Sequence, residues 1–271
     1  TGSMVSETME IGLSTLYCLG QAFPFLLKQL ETFPVKHVEL VDDGLHALTG
    51  ERAKALKEVI RNKGLKATVH APFVDVNIAS TDASIRRAVL RRLKKSIFHS
   101  SQIGARVWAF HPGLQTGVSH FYPGLDWKLN LEAVRELEGT ARQQQIKIAV
   151  ENVPEPFPFL LKGVKDFARF YCDLDRDDVG MTLDVGHAHI SGQVYGFMEK
   201  FASRIVHAHL HDNNGDADRH LGIGDGNIDW PEIIVRLERM KYKGILVIES
   251  ETNTERSLRT LRTVLEHSKH P

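Results

Sequence analysis

Short runs dense in Val, Ile, Leu and Ala recur along the chain, and each is followed by a longer stretch with apolar residues every third or fourth position. The first pattern predicts buried strands and the second amphipathic helices. Strands are expected at Glu10–Thr15, Lys36–Val41, Lys66–His70, Ala105–His111, Ile146–Glu151, Val179–Asp184, Arg204–His211 and Gly244–Glu249. The helices between and after them are expected at Gln21–Phe33, Gly50–Asn62, Thr81–Ile103, Asn130–Gln145, Gly163–Leu174, Val194–Ala202, Trp230–Met240 and Glu255–His267. Pro34, Gly64 and Gly104 supply stop signals after the first three helices. Eight strand–helix units of about 30 residues, with no linker or low-complexity tract, predict a single α/β domain, a (β/α)₈ TIM barrel over residues 4–271. A doubly wound open sheet is the alternative, but no Gly-rich dinucleotide turn follows the first strand. Thr1-Gly2-Ser3 ahead of Met4 reads as a cloning scar.

Composition changes this picture little. The 271 residues are 42% hydrophobic and 25% charged, as expected of a globular protein with a full core. Lys+Arg and Asp+Glu both number 34, so bulk charge recommends neither nucleic acid nor a membrane surface as partner. Cys18 and Cys172 stand far apart and in no paired motif. They read as reduced thiols of a cytoplasmic protein, and neither a membrane span nor a signal peptide is expected.

The chemistry concentrates where the strands end. In a barrel of this kind, the C-terminal strand ends and the loops after them build the site. The expected ends bring His70, His111, Glu151, Asp184, His209 with His211, and Glu249 to one rim. The stretch Arg204–Trp230 is the densest: His207, His209 and His211 alternate on a strand, and Asp212, Asp216, Asp218 and His220 follow in a Gly-rich loop. The loop after Asp184 adds His187 and His189. Buried imidazoles and carboxylates need partners, and a divalent cation would satisfy both. Nitrogen and carboxylate donors without thiolates suit Zn²⁺ first, with Mn²⁺, Co²⁺ and Fe²⁺ as alternatives, better than Ca²⁺ or Mg²⁺.

Any one of these residues alone reads as well as a helix cap or half of an ion pair; the case rests on six successive strands delivering one. His37, His46, His99, His120, His267 and His270 lack such placement and read as ordinary residues. The run Arg86, Arg87, Arg91, Arg92, Lys94 and Lys95 reads as a solvated helix face, and Trp108 as packing.

Seven motifs in order carry a resemblance: V-H-A-P-F (69–73), F-H-P-G (110–113), V-E-N-V-P (150–154), L-D-V-G-H-A (183–188), H-L-H-D (209–212), D-R-H-L-G-I-G-D-G-N-I (218–228) and V-I-E-S (247–250). Together they resemble the xylose isomerase-like TIM-barrel superfamily, which contains sugar isomerases and epimerases and the endonuclease IV group. The sugar-converting pattern implies one ion on Glu151, Asp184, His209 and Glu249. The endonuclease pattern implies three zinc ions, with His70, His111, His187, Asp218 and His220 as further ligands. In both, the resemblance selects His209 rather than His211.

Two departures separate the branches. The endonucleases end their first strand in a His-containing motif, where this chain has Leu13-Ser14-Thr15-Leu16. After the second strand they carry a basic, aromatic loop that enters DNA; here the stretch is Glu39-Leu40-Val41-Asp42-Asp43-Gly44. Asp42 and Asp43, placed where phosphates would pass, are expected to repel DNA. The favoured expectation is therefore a metal-dependent isomerase or epimerase acting on a small sugar or sugar phosphate. Glu151 and Glu249 would move the proton, and Ser14, Glu39, His187 and Arg219 would contact substrate. The alternatives are a zinc-dependent phosphodiesterase of the endonuclease IV type and a non-catalytic sugar- or metal-binding protein. One to three ions are compatible with the residues, and the oligomeric state is left open.

Overall fold

The structure, a computed structural model, describes residues 9–268. The cloning scar and His270 lie outside the described residues. Eight parallel strands close into a barrel in chain order: β1 (Glu10–Ser14), β2 (His37–Val41), β3 (Lys66–His70), β4 (Val107–Phe110), β5 (Lys147–Glu151), β6 (Gly180–Asp184), β7 (Ile205–Leu210) and β8 (Ile245–Ile248). The pairing of Leu13 with Ile248 belongs to the β1–β8 seam that shuts the sheet. The open-sheet alternative is thereby excluded.

The outer helices are α1 (Phe23–Glu31), α2 (Gly50–Lys63), α3 (Ala83–Ile103), α4 (Leu125–Gln143) and α5 (Val164–Leu174). A short α6 (Val185–Ile190) follows, then α7 (Val194–Phe201), α8 (Trp230–Arg239) and α9 (Thr254–Ser268). Local chemistry sets several boundaries. Asp82 caps α3 by accepting from the Ser84 and Ile85 amides, and Gly104 ends it at φ +86°. Helix α4 starts five residues before the expected Asn130, immediately after Gly124, whose φ of +84° lets the chain turn into it.

Helix α6 has no counterpart in the expected pattern. Six residues are too few to display helical periodicity, and its N-cap is Asp184, whose carboxylate accepts from the His187 amide at 2.7 Å. Strand β7 stops at Leu210, one residue short of the expected His211, yet His211 remains wholly buried.

The core fills the space between barrel and helices. Trp108 is fully buried and its indole N–H donates to Ser96 Oγ at 2.9 Å, so the packing role expected for it stands. Phe167, Phe170, Phe197 and Phe201 pack ring against ring under α5 and α7. Among the described residues no helix is long and apolar enough to cross a membrane.

Candidate metal centre

The carboxyl ends of the strands converge, and four ligand atoms from β5, β6, β7 and the end of β8 come within 4.8 Å of one another: those of Glu151, Asp184, His209 and Glu249. His209 Nδ1 is the common neighbour, 3.4 Å from Glu151 Oε1, 3.2 Å from Glu249 Oε2 and 3.9 Å from Asp184 Oδ2. His209 Nδ1 makes no hydrogen bond across these gaps, and their spacing suits donors that share an ion. His209 Nδ1, Glu151 Oε2 and Asp184 Oδ2 are all buried without a hydrogen-bond partner. Orphaned buried groups are costly in a folded protein, so this set fits a divalent cation.

Two further groups adjoin it. His70 Nε2 and His111 Nε2 approach Glu151 Oε2 at 3.4 and 3.6 Å. On the other side His187, His211, Asp218 and His220 form a second four-donor cluster. Asp218 lies 3.3 Å from both His187 Nε2 and His220 Nε2. The expected ligands therefore all meet on one rim, and His211 joins them, 3.1 Å from Asp184 Oδ1 and stacked on His220 with ring centroids 3.9 Å apart. Gly186 makes room for it: a Cβ there would come within 2.1 Å of the His211 ring.

The rings are aimed by hydrogen bonds on their far side. His70 Nδ1 meets Ala71 O, His187 Nδ1 meets Asn152 O, and His220 Nδ1 meets Glu249 O, all at 2.8–2.9 Å. An Nδ1–H donated to a carbonyl leaves the Nε2 lone pair facing the site. Asn152 also braces Asp184: its side chain donates to the Asp184 carbonyl and accepts from the Asp184 amide. His220 adopts a left-handed backbone, φ +44°, of the kind that clusters at functional sites. Its loop is clamped by Asp212, which accepts from the Gly224 and Ile228 amides and the Trp230 indole.

The electrostatics are those of a site built around positive charge. Burial opposes ionisation of Glu151, yet His209, His111 and His187 hold it well below the usual carboxylate range. Burial would likewise push His70 down, but Glu151 outweighs it and raises it to about 9. His220 is raised to about 9, against the effect of burial, by Asp218 and Glu249. The raised His70 and His220 thus carry protons that balance the carboxylates beside them.

Above the donors lies a cup of about 400 Å³. Its lining includes Leu16, Phe73, Val153, Pro154, Phe157 and Phe159 opposite His70, Glu151, Asp218 and Glu249. The apolar wall had no periodic signature, because its residues sit singly in loops after different strands.

Several expected roles do not fit the geometry. Glu39 is fully buried beneath the rim, bonded to His207 and Thr68, and cannot meet substrate directly. Ser14 Oγ accepts from the Leu16 amide, and it is Leu16 that lines the cup. Arg219 is half-exposed and paired with Asp216 at 2.6 Å, outside the lining of the cup. The electrostatic argument against DNA also changes. Asp42 is buried and neutralised by Arg92 at 2.6 Å, so it faces no phosphate and Arg92 leaves the solvated face assigned to its helix. One oxygen of Asp43 accepts from the Phe73 and Val74 amides. His37 and His46 are buried and bonded, to Glu10 and to the Gln21 carbonyl, as ordinary structural residues.

Residues 27–267 match the family described as xylose isomerase-like TIM barrel. The chain belongs to that family. It is 30% identical over 246 residues to an uncharacterized protein of Methanocaldococcus jannaschii, covering 90% of this chain and 84% of that one. It is 26% identical over 212 residues to a probable endonuclease 4 of Thermoplasma acidophilum, 72% of each chain. Among solved structures, a D-tagatose 3-epimerase-like protein superposes with a TM-score of 0.90 at 28% identity, covering 96% of this chain and 98% of that one.

Proposed function

We propose that this xylose isomerase-like protein is a metal-dependent isomerase or epimerase of a small sugar. One observation carries the reading: Glu151 and Glu249 reach the same point between Asp184 and His209, at the floor of a half-open, largely apolar cup. A carbon held in the cup just above that point would have a carboxylate on two sides, the arrangement needed to remove a proton and return one. The cup's volume suits a compact ligand, and its aromatic wall suits the apolar face of a sugar ring or chain. Likeness to the D-tagatose 3-epimerase-like protein supports the same class.

Glu151, Asp184, His209 and Glu249 would hold the ion, with Zn²⁺, Mn²⁺, Co²⁺ and Fe²⁺ all compatible with three carboxylates and one imidazole. Bound there, a divalent ion would polarise a carbonyl and acidify the adjacent C–H. The protein's own part is to keep Glu151 ionised as the proton acceptor, to offer Glu249 as its counterpart, and to shield the carbon from water with Phe73, Phe157 and Phe159. His187 lines the cup and would contact a substrate hydroxyl.

The test is solvent exchange. In D₂O with Mn²⁺, Co²⁺ or Zn²⁺, the protein should exchange the α-proton of a ketose or its phosphate, and Glu151→Gln should abolish this. Absence of exchange across a broad panel of sugars would sink the reading. A second reading, a zinc-dependent phosphodiesterase, is favoured specifically by the two additional donor groups around His70, His111 and Glu151 and around His187, His211, Asp218 and His220. Three zincs per chain and incision of an abasic duplex, blocked by chelator, would establish it instead.

A further inference from the structure

Three imidazoles at the rim are oriented alike, with Nδ1 on a backbone carbonyl and Nε2 toward the carboxylates. His209 is turned the other way. Its Nδ1 faces Glu151, Asp184 and Glu249, and the group that meets its Nε2 is Glu39, whose Oε1 lies 2.9 Å away as an ion pair not aligned as a straight hydrogen bond.

Glu39 comes from β2 and His209 from β7, so this contact crosses the barrel interior. The other carboxylate oxygen is anchored separately. Oε2 takes a hydrogen bond from His207 Nε2 at 2.6 Å and one from Thr68 Oγ1 at 3.0 Å. Thr68 is the β3 residue paired in register with Glu39, so the anchor is built into the sheet. Glu39, His207 and His209 are all fully buried, which leaves no water to compete for the carboxylate.

Glu39, His207 and His209 could be read as a metal site of their own. The spacing argues otherwise. Ligands at about 2.0–2.2 Å from an ion stand roughly 3.3–3.6 Å apart in a tetrahedral site and roughly 2.8–3.1 Å apart in an octahedral one, whereas His207 Nε2 and Glu39 Oε2 are closer still, joined by a direct bond of 2.6 Å.

We propose that Glu39 is the positioning residue for His209: its carboxylate holds the Nε2–H, so that Nδ1 is the nitrogen offered to the cation at the rim. A carboxylate behind a ligating imidazole fixes the tautomer and strengthens the donor, where the other histidines have only a carbonyl. The role assigned here replaces the direct substrate contact expected from the position of Glu39 in the chain. It rests on the rim being a cation site, though not on which reaction is run there.

The test is Zn²⁺ affinity of the full-length Glu39→Gln protein, measured by competition with a chromophoric chelator, with circular dichroism as the check on folding. The tightest Zn²⁺ should bind about 10- to 100-fold more weakly. In Zn²⁺-loaded wild type, nitrogen NMR should show His209 metal-bound through Nδ1 and protonated at Nε2, a signature that a purely structural strut would not impose. Affinity within about twofold of wild type in a folded variant would overturn the proposal alone. So would a His209 protonated at Nδ1, which decides the matter even if Glu39→Gln does not fold. A wild type that fails to bind Zn²⁺ overturns the rim reading together with this proposal.

Discussion

The barrel interior holds two carboxylate–imidazole clusters that share one residue. In the deeper one, Glu39 takes bonds of 2.6 and 3.0 Å from His207 and Thr68. In the upper one, Glu151, Asp184 and Glu249 stand 3.2–3.9 Å from His209 Nδ1. Both are buried and built of the same residue types, so neither composition nor burial distinguishes them. The difference is spacing. The deeper cluster is already joined by the direct His207–Glu39 bond, while the upper one sets its donors around a common gap. Two metal-like clusters in one barrel can therefore have different jobs, one to receive an ion and the other to hold a ligand in position.

The largest effect that would sharpen this contrast is at the upper cluster. Glu151→Gln should reduce turnover by about 10²–10⁴-fold, the usual contribution of a general acid or base, and elemental analysis should show metal lost with it. Retained activity would remove Glu151 from the chemistry. At the deeper cluster the effect should fall on stability. His207→Leu takes away the 2.6 Å partner of a buried carboxylate, which should cost about 3–5 kcal/mol in urea unfolding while weakening Zn²⁺ binding less than Glu39→Gln does. Loss of metal without loss of stability would reverse the two assignments.

The next effect depends on pH. In the metal-free protein His70 and His220 are raised from 6.5 to about 9. A raised folded pKa gives stability that is fully present below pH 6.5 and lost as pH rises through about 9. Metal-free protein should therefore become less thermostable from pH 6.5 to 9, while the increment gained from Zn²⁺ grows as protons stop competing for the donors. A stability of the metal-stripped protein that is flat over this window would break this account of His70 and His220. Gly186→Ala, which presses a Cβ on the His211 ring, should cost about 1–3 kcal/mol. It should also weaken the outer cluster of His187, Asp218 and His220 while sparing the ion on Glu249. The smallest effect is expected from Arg219→Ala: its partner Asp216 is a surface residue, so stability and turnover should hardly change, and a roughly tenfold fall in kcat/KM would place Arg219 on the substrate.

The chain's own periodicity determined the barrel, because buried parallel strands and amphipathic helices each write a local repeat. It also determined which donors stand at the strand ends, since residues such as Glu151 and Asp184 close their strands in the one-dimensional order. Helix α6 escaped because six residues carry no readable repeat and its cap is itself a candidate ligand. What only the tertiary structure decided are contacts between distant segments. Glu39 and His207 lie 168 positions apart, and Asp42 is neutralised by an arginine 50 positions on. Which nitrogen of each imidazole faces the rim was decided there too. That choice depends on what lies behind the ring, the distant Asn152 carbonyl for His187 and the Glu39 carboxylate for His209, and nothing in the neighbouring residues encodes it.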